Sequence, residues 1–280
     1  MNRDQRLDYL IVGHVSLDVS EQGETPGGTA AYAGRTAAAL GLQVGIVTSA
    51  GRPAAWRSIE RLPHQVTPAE HSTRFENMYV EAGRKQRLLS RAADLDLESV
   101  PLAWRNPRVV HLAPIADEVD PGLARELPGA LIALTPQGWL RRWDASGLIR
   151  RKEWSEVEAI LPKAELVFVS QEDFINDPMW VELLAGRYPL LIITRGAAGA
   201  TLYQRGVATD LPATPVVEID ATGAGDIFAA CFVARFLERR DPLEAARFAN
   251  RLAAAGVQRQ GLEAVPNQHE ITAAREQLPA

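Results

Sequence analysis

The segment Glu218-Ile219-Asp220-Ala221-Thr222-Gly223-Ala224-Gly225-Asp226-Ile227-Phe228 is where residue types and spacing point most directly to chemistry. Small residues, two glycines and two aspartates stand just before a long stretch that reads as a helix. The unpaired N–H groups of a helix start, with the helix dipole, form an anion site. Glycines there let phosphate oxygens approach the main chain closely. An aspartate inside an anion site repels phosphate. Asp226 makes sense there if it takes the proton of an attacking hydroxyl while the N–H groups hold the transferring phosphoryl group. The plainer alternative makes Gly223 and Gly225 a tight turn and Asp226 a helix cap.

Other residues offer weaker signals. Arg141, in Gln137–Trp143, follows the strand candidate Leu131–Leu134. In open α/β sheets ligands bind beyond the carboxyl ends of strands, and arginine suits bidentate recognition of anions. Arg141 is therefore a candidate for phosphate or substrate, and the alternative is a basic surface loop with Trp139 and Trp143 packed beneath. Thr194-Arg195-Gly196-Ala197-Ala198-Gly199 lies between two apolar runs and also fits an ordinary glycine turn. Asp18 alone reads as a surface turn residue, although a carboxylate suits a polyol because it accepts two hydrogen bonds at once. His111 reads as packed, and the sole cysteine, Cys231, as a small core residue. Gly13 is solitary after the first strand, which argues against a dinucleotide-binding dehydrogenase. No lysine-containing phosphate loop is present.

Two strings together carry a family resemblance. Asp220–Phe228 is one, and Gly13-His14-Val15-Ser16-Leu17-Asp18 followed by Gly27-Gly28-Thr29-Ala30-Ala31-Tyr32-Ala33-Gly34 is the other. They resemble the last and first signatures of the PfkB family of carbohydrate kinases, which have the ribokinase-like fold. The resemblance implies ATP-dependent phosphorylation of a hydroxyl on a sugar, polyol or related small molecule. Asp226 would be the base, with Gly223, Ala224 and Gly225 as the anion hole. It implies Asp18, Gly27 and Gly28 on the substrate side, and Thr194, Gly196, Gly199, Thr222 and Asn250 on the nucleotide side. Tyr32 stands where many sugar-kinase members carry asparagine, and this variant is similar to an inositol-kinase-like branch, so Tyr32 joins the substrate-side candidates. For Mg²⁺ the resemblance points to Ser170 and Asp173, with Glu172 as the alternative, because Ser170-Gln171-Glu172-Asp173 departs from the usual Asn-x-x-Glu. Asp220 inherits a weaker suggestion of a monovalent-cation (K⁺) site. A nucleoside kinase, or a non-catalytic sensor on the same fold, is the alternative function.

The elements that must position these residues follow from the apolar pattern. Leu7–Val15, Val44–Thr48, Val109–Leu112, Leu131–Leu134, Leu166–Ser170 and Leu190–Thr194 read as buried strands. Helical candidates alternate with them: Thr29–Leu40, Pro121–Leu127, Trp154–Leu161, Pro178–Ala185, Gly223–Arg239, Pro242–Gln258 and Gln268–Gln277, with Asn267 as N-cap of the last. Ala200–Gln204 and Val207–Leu211 suggest a hairpin, as do Ser72–Val80 and Gln86–Ser90. The expectation is one α/β domain over residues 1–280, three-layered with a mostly parallel sheet. With only a short segment between Asp18 and Gly27, the lid is expected to be a single small hairpin at about 72–91, and the protein a monomer or weak homodimer.

Of 280 residues, 46% are hydrophobic and 23% charged, which excludes a disordered or collagenous chain. A formal net charge of −5 argues against a broad nucleic-acid surface. No apolar run is long enough for a membrane span. The start lacks a secretory layout and a single cysteine excludes an internal disulfide, so a cytoplasmic protein is expected. Only Lys85, Lys152 and Lys163 are lysines, which leaves few candidates for a lysine nucleophile.

Overall fold

Strands that are apolar at consecutive positions must be covered on both faces, and that is where the chain places them. The computed structural model describes residues 6–277, apart from 22, 52–55, 81–82 and 175–176. The first half contains β1 (Tyr9–Val12), β2 (Ser16–Ser20), β3 (Gly23–Gly27), α1 (Thr29–Ala39), β4 (Val44–Ala50), β5 (His64–Pro68), β6 (Thr73–Val80), β7 (Gly83–Ser90), β8 (Val109–Leu112), α2 (Leu123–Glu126) and β9 (Leu131–Leu134). The second half adds β10 (Arg141–Trp143), β11 (Ile149–Arg151), α3 (Trp154–Ile160), β12 (Leu166–Ser170), α4 (Pro178–Arg187), β13 (Leu190–Thr194), β14 (Ala200–Gln204), β15 (Val207–Leu211), α5 (Ala224–Arg239), α6 (Pro242–Gly256) and α7 (Gln268–Glu276).

Nine strands form the main sheet in the order β15-β14-β13-β12-β9-β8-β1-β4-β5. All neighbours pair in parallel except the β13–β14–β15 edge. On one face, Tyr9, Ile11 and Phe168 pack with side chains of α1, α5, α6 and α7. On the other, Leu10, Val12 and Val110 pack with Leu123, Val157, Trp139 and Trp180. The result is a three-layer α/β arrangement. The strand order turns outward on either side of β1 and β8, so the carboxyl ends of these strands face a crevice. Asn267 caps α7 through Glu270 N as expected. His111 and Cys231 are fully buried, as their apolar neighbours predict.

A second sheet has four strands, in the order β3-β2-β6-β7. This corrects the expectation of a single hairpin: the short segment through Asp18 and Gly27 is itself the hairpin β2–β3. Its residues, Gly23-Glu24-Thr25-Pro26-Gly27 above all, carry little apolar signal because β3 is an exposed edge strand, where proline and glycine are tolerated. β2 pairs in parallel with β6, more than fifty residues away, and no local pattern announces such a pairing. The expected turn at residues 81–82 lies outside the described residues. Gln137–Trp143, read as a loop, contributes β10, and the β10–β11 hairpin joins the small sheet through Leu88 N–H donating to the Gly147 carbonyl at 2.9 Å.

The main chain passes between the two sheets four times, and all four crossings meet at His14. The His14 N–H donates to Glu118 Oε1 at 2.9 Å. Its Nε2–H donates to the Ala93 carbonyl at 2.8 Å, which leaves Nδ1 to accept from Thr73 Oγ1 at 2.7 Å. Gly28 passes so close that a Cβ there would lie 2.5 Å from the His14 carbonyl oxygen. Burial lowers the His14 pKa, so the ring is neutral and this bonding pattern is fixed. Glu118 also accepts Ile115 N–H at 3.0 Å and Ala116 N–H at 2.7 Å. Truncating it strands three buried donors. Glu118→Ala is expected to lower unfolding free energy by about 3 kcal/mol, measured by urea denaturation; a change under about 1 kcal/mol would show that the junction does not depend on it.

Candidate active site

The two glycine strings meet through one contact. Gly223 is the N-cap of α5 and adopts a left-handed conformation, φ 76°. A Cβ on it would lie 2.3 Å from Tyr32 Cδ1, so the tyrosine ring occupies the space of the missing side chain. Tyr32 is 1% exposed. It is therefore a packing residue beneath the turn, which corrects its placement among substrate contacts. Burial raises its pKa first, and Asp220, Asp226 and Asp18 each add to the rise.

Asp226 lies in the first turn of α5, half-buried. A helix N-terminus favours its ionised form, yet desolvation dominates and pushes the carboxyl up to about 7. A hydrogen bond from Thr29 and the positive charge of Arg141 pull the other way, while the negative charge of Asp173 reinforces the rise. The Ile227 N–H opens the helical ladder by donating to the Gly223 carbonyl at 2.9 Å. Ala224 N–H turns back to the Ala221 carbonyl at 3.1 Å, so within the expected anion hole this amide is engaged by the turn itself. Open space surrounds the Cα of Gly225, where a phosphate could approach.

Arg141 joins three parts of the fold. It donates to Gln86 Oε1 on β7 at 2.9 Å and lies 3.6 Å from Asp173 Oδ1. Asp173 in turn caps its own 3-10 turn through the Ser170 N–H at 3.0 Å, and Gln137 donates to it at 3.4 Å. The Ser170 hydroxyl accepts the Glu172 N–H at 3.2 Å, and Glu172 is exposed. Among the described residues no three His, Cys, Asp or Glu side chains cluster to hold a metal. Mg²⁺ usually needs only one or two carboxylates beside phosphates and water. Asp173 fits contact through water, since its oxygens already face Arg141 and a backbone amide.

The remaining candidates divide. Gly27 lets the Asp18 carboxylate lie across it, a Cβ there falling 2.6 Å from Asp18 Oδ2. Asp220 is a brace: it accepts Thr222 N–H and Gly261 N–H, both at 2.9 Å, and ties the loop before α5 to the chain beyond α6. Gly199, φ 91°, would place a Cβ 2.0 Å from the Leu211 carbonyl oxygen, so it holds a turn against β15. Thr194 contacts the Val169 carbonyl at 3.4 Å, and Asn250 donates to the Pro212 carbonyl at 2.8 Å. Gly196, φ 53°, has open space around it. Thr29, Gln86 and Gln137 were missed in sequence reasoning. Thr29 had a signal, its place directly after the paired glycines; the two glutamines had none, because Gln86 arrives on β7 and Gln137 in the turn after β9.

Gly223→Ala is expected to destabilise the fold by about 2 kcal/mol or more through strained backbone and collision with the Tyr32 ring. Shortening the ring in Tyr32→Leu should recover part of that loss in the double variant, read from a denaturation cycle. Strict additivity would show that the two residues do not meet.

Residues 147–269 match the pfkB family carbohydrate kinase. The chain is 27% identical over 261 residues to a cytidine kinase of Thermococcus kodakarensis, covering 85% of this chain and 91% of that one. In fold it resembles a pyrophosphate-dependent kinase in the ribokinase family complexed with a pyrophosphate analog and myo-inositol, with TM-score 0.80 at 20% identity over 95% of this chain and 99% of the other. It also resembles an uncharacterized sugar kinase from Pyrococcus horikoshii in complex with ATP, with TM-score 0.72 at 21% identity over 96% and 100% of the two chains. The family match covers less than half of the chain, and over nearly its whole length the chain has the ribokinase-like fold.

Proposed function

We propose that the protein transfers the γ-phosphoryl group of ATP to a hydroxyl of a small sugar, polyol or inositol. The observation that carries this reading is Asp226, an aspartate with its carboxyl pushed up to about 7, set in the first turn of α5 between Thr29 and Arg141. Asp226 accepts the hydroxyl proton, the oxygen attacks the γ-phosphorus in line, and the bond to the β-phosphate oxygen breaks to release ADP. The Gly223 and Gly225 amides and the Arg141 guanidinium offset charge on the transferring group. Asp18, Gly27 and Gly28 face the acceptor, and Thr194, Gly196, Thr222 and Asn250 border the donor. Mg²⁺ travelling with the donor would neutralise its phosphates, with Asp173 as its water-mediated partner. A K⁺ ion beside the loop braced by Asp220 belongs to the same reading.

A nucleoside acceptor is the second reading, favoured by similarity to the cytidine kinase over most of both chains. One screen separates them: ADP release over sugars, inositols and nucleosides, repeated with pyrophosphate in place of ATP. Turnover with nucleosides alone selects the second reading, and tight binding without turnover selects a sensor.

Asp226→Asn is expected to reduce turnover roughly 10³-fold with little change in acceptor binding; an unchanged rate sinks the assigned base. In the unmodified protein, kcat/KM should fall about tenfold per unit of pH below about 7. Stability carries the opposite sign. The unfolded chain ionises Asp226 from about pH 4 upward while the folded chain keeps the proton to about 7, so folding loses stability across that window. Asp226→Asn should therefore melt several degrees (roughly 4 °C) above the parent at pH 8, with the gap closing below about pH 4.

A further inference from the structure

On the side of the molecule away from the cleft, the end of α1, the 3-10 turn Arg57–Ile59 and the chain at Val265 enclose a hollow of about 440 Å³. Arg35, Arg57 and Arg61 line it, against a single carboxylate, Glu60. Arg57 and Arg61 are exposed, and among the described residues neither side chain has an ion pair or hydrogen bond. Arg35 donates to the Ser58 carbonyl at 2.9 Å, which holds its guanidinium at the wall. The Ser58 hydroxyl oxygen is buried without a partner. Other arginines are neutralised by close carboxylates: Arg235 pairs with Glu238 and Glu244, and Arg259 with Glu270. Three convergent cations with one nearby carboxylate, in a chain of net charge −5, repel one another until an anion joins them. Leu62 supplies an apolar wall beside them.

We infer that this hollow binds a phosphate monoester, a small phosphorylated metabolite. Its phosphate is held between Arg57 and Arg61 with Arg35 behind, and its carbon skeleton lies on Leu62. The charge and planarity of guanidinium groups suit phosphate oxygens, and the volume suits a ligand of that size. The site is separate from the cleft. Arg35 lies six residues along α1 from Thr29, on the order of 9 Å at 1.5 Å per residue.

The test is calorimetric titration of the full chain with glucose 6-phosphate and, separately, inorganic phosphate. It is run on the parent, on Arg57→Ala/Arg61→Ala and on Arg141→Ala. Both arginines of the double variant are exposed, so its melting temperature without ligand should equal the parent's and report intact folding. The expected result is binding of glucose 6-phosphate in the parent and in Arg141→Ala, weakened about tenfold or more in the double variant. Inorganic phosphate should bind more weakly than the ester. No binding of either anion up to about 20 mM overturns the site. So does binding that survives in the double variant, or that is lost in Arg141→Ala alone, which would place the anion in the cleft. Inorganic phosphate binding as tightly as the ester would overturn the assignment to a monoester.

Discussion

The contact between Gly223 and the Tyr32 ring is the constraint on which the site depends. A left-handed N-cap can be made by glycine at no steric cost, but here the absent side chain does more than permit a turn. It leaves a place for an aromatic ring from α1, and that ring fixes how closely α1 and α5 approach. Both helices start at the crevice, α1 behind the paired glycines and α5 with Asp226 in its first turn, so one contact sets the spacing of the two glycine strings. The tyrosine thus belongs to the framework, and its size is accommodated by the glycine it faces.

Electrostatics then divides the carboxylates by environment. Asp220 is held by two backbone amides and acts as a fastener. Asp173 is held by an amide and Arg141. Asp226, desolvated and close to Asp173, is the one whose pKa comes up to about 7, the range in which a group can both take and release a proton. Arg141 balances this set while reaching Gln86 on the small sheet, so the charge balance around Asp226 includes a residue of that sheet.

Much of the fold was legible because its strands are buried on both faces and its helices carry ordinary stop signals. The parallel core from Tyr9 to Thr194, the β14–β15 hairpin and the cap at Asn267 followed from apolar runs and turn residues. The small sheet was half legible. β6 and β7 are long and adjacent, whereas β2 and β3 are polar and gain their order from a distant partner. Of the candidate site, Asp226 and its glycines were visible as a string. Tyr32 was misplaced, because whether a ring faces ligand or neighbour depends on a residue 191 positions away. Gly199 carries a similar ambiguity: a glycine required by a passing backbone looks the same in sequence as one required by a phosphate.

The knot at His14 has a mechanical meaning. The crossings between the sheets gather at His14 and anchor the base of the small sheet there, while the β10–β11 hairpin and Arg141 hold it further out through Leu88 and Gln86. β6 extends eight residues from that point, roughly 26 Å at 3.3 Å per residue. A rotation of about 5° would carry its tip roughly 2 Å, while Asp18, two residues into β2, would scarcely shift. Leverage of this kind would separate duties along a single leaf: Asp18 would stay registered at the pivot, and the travel would be delivered at the rim.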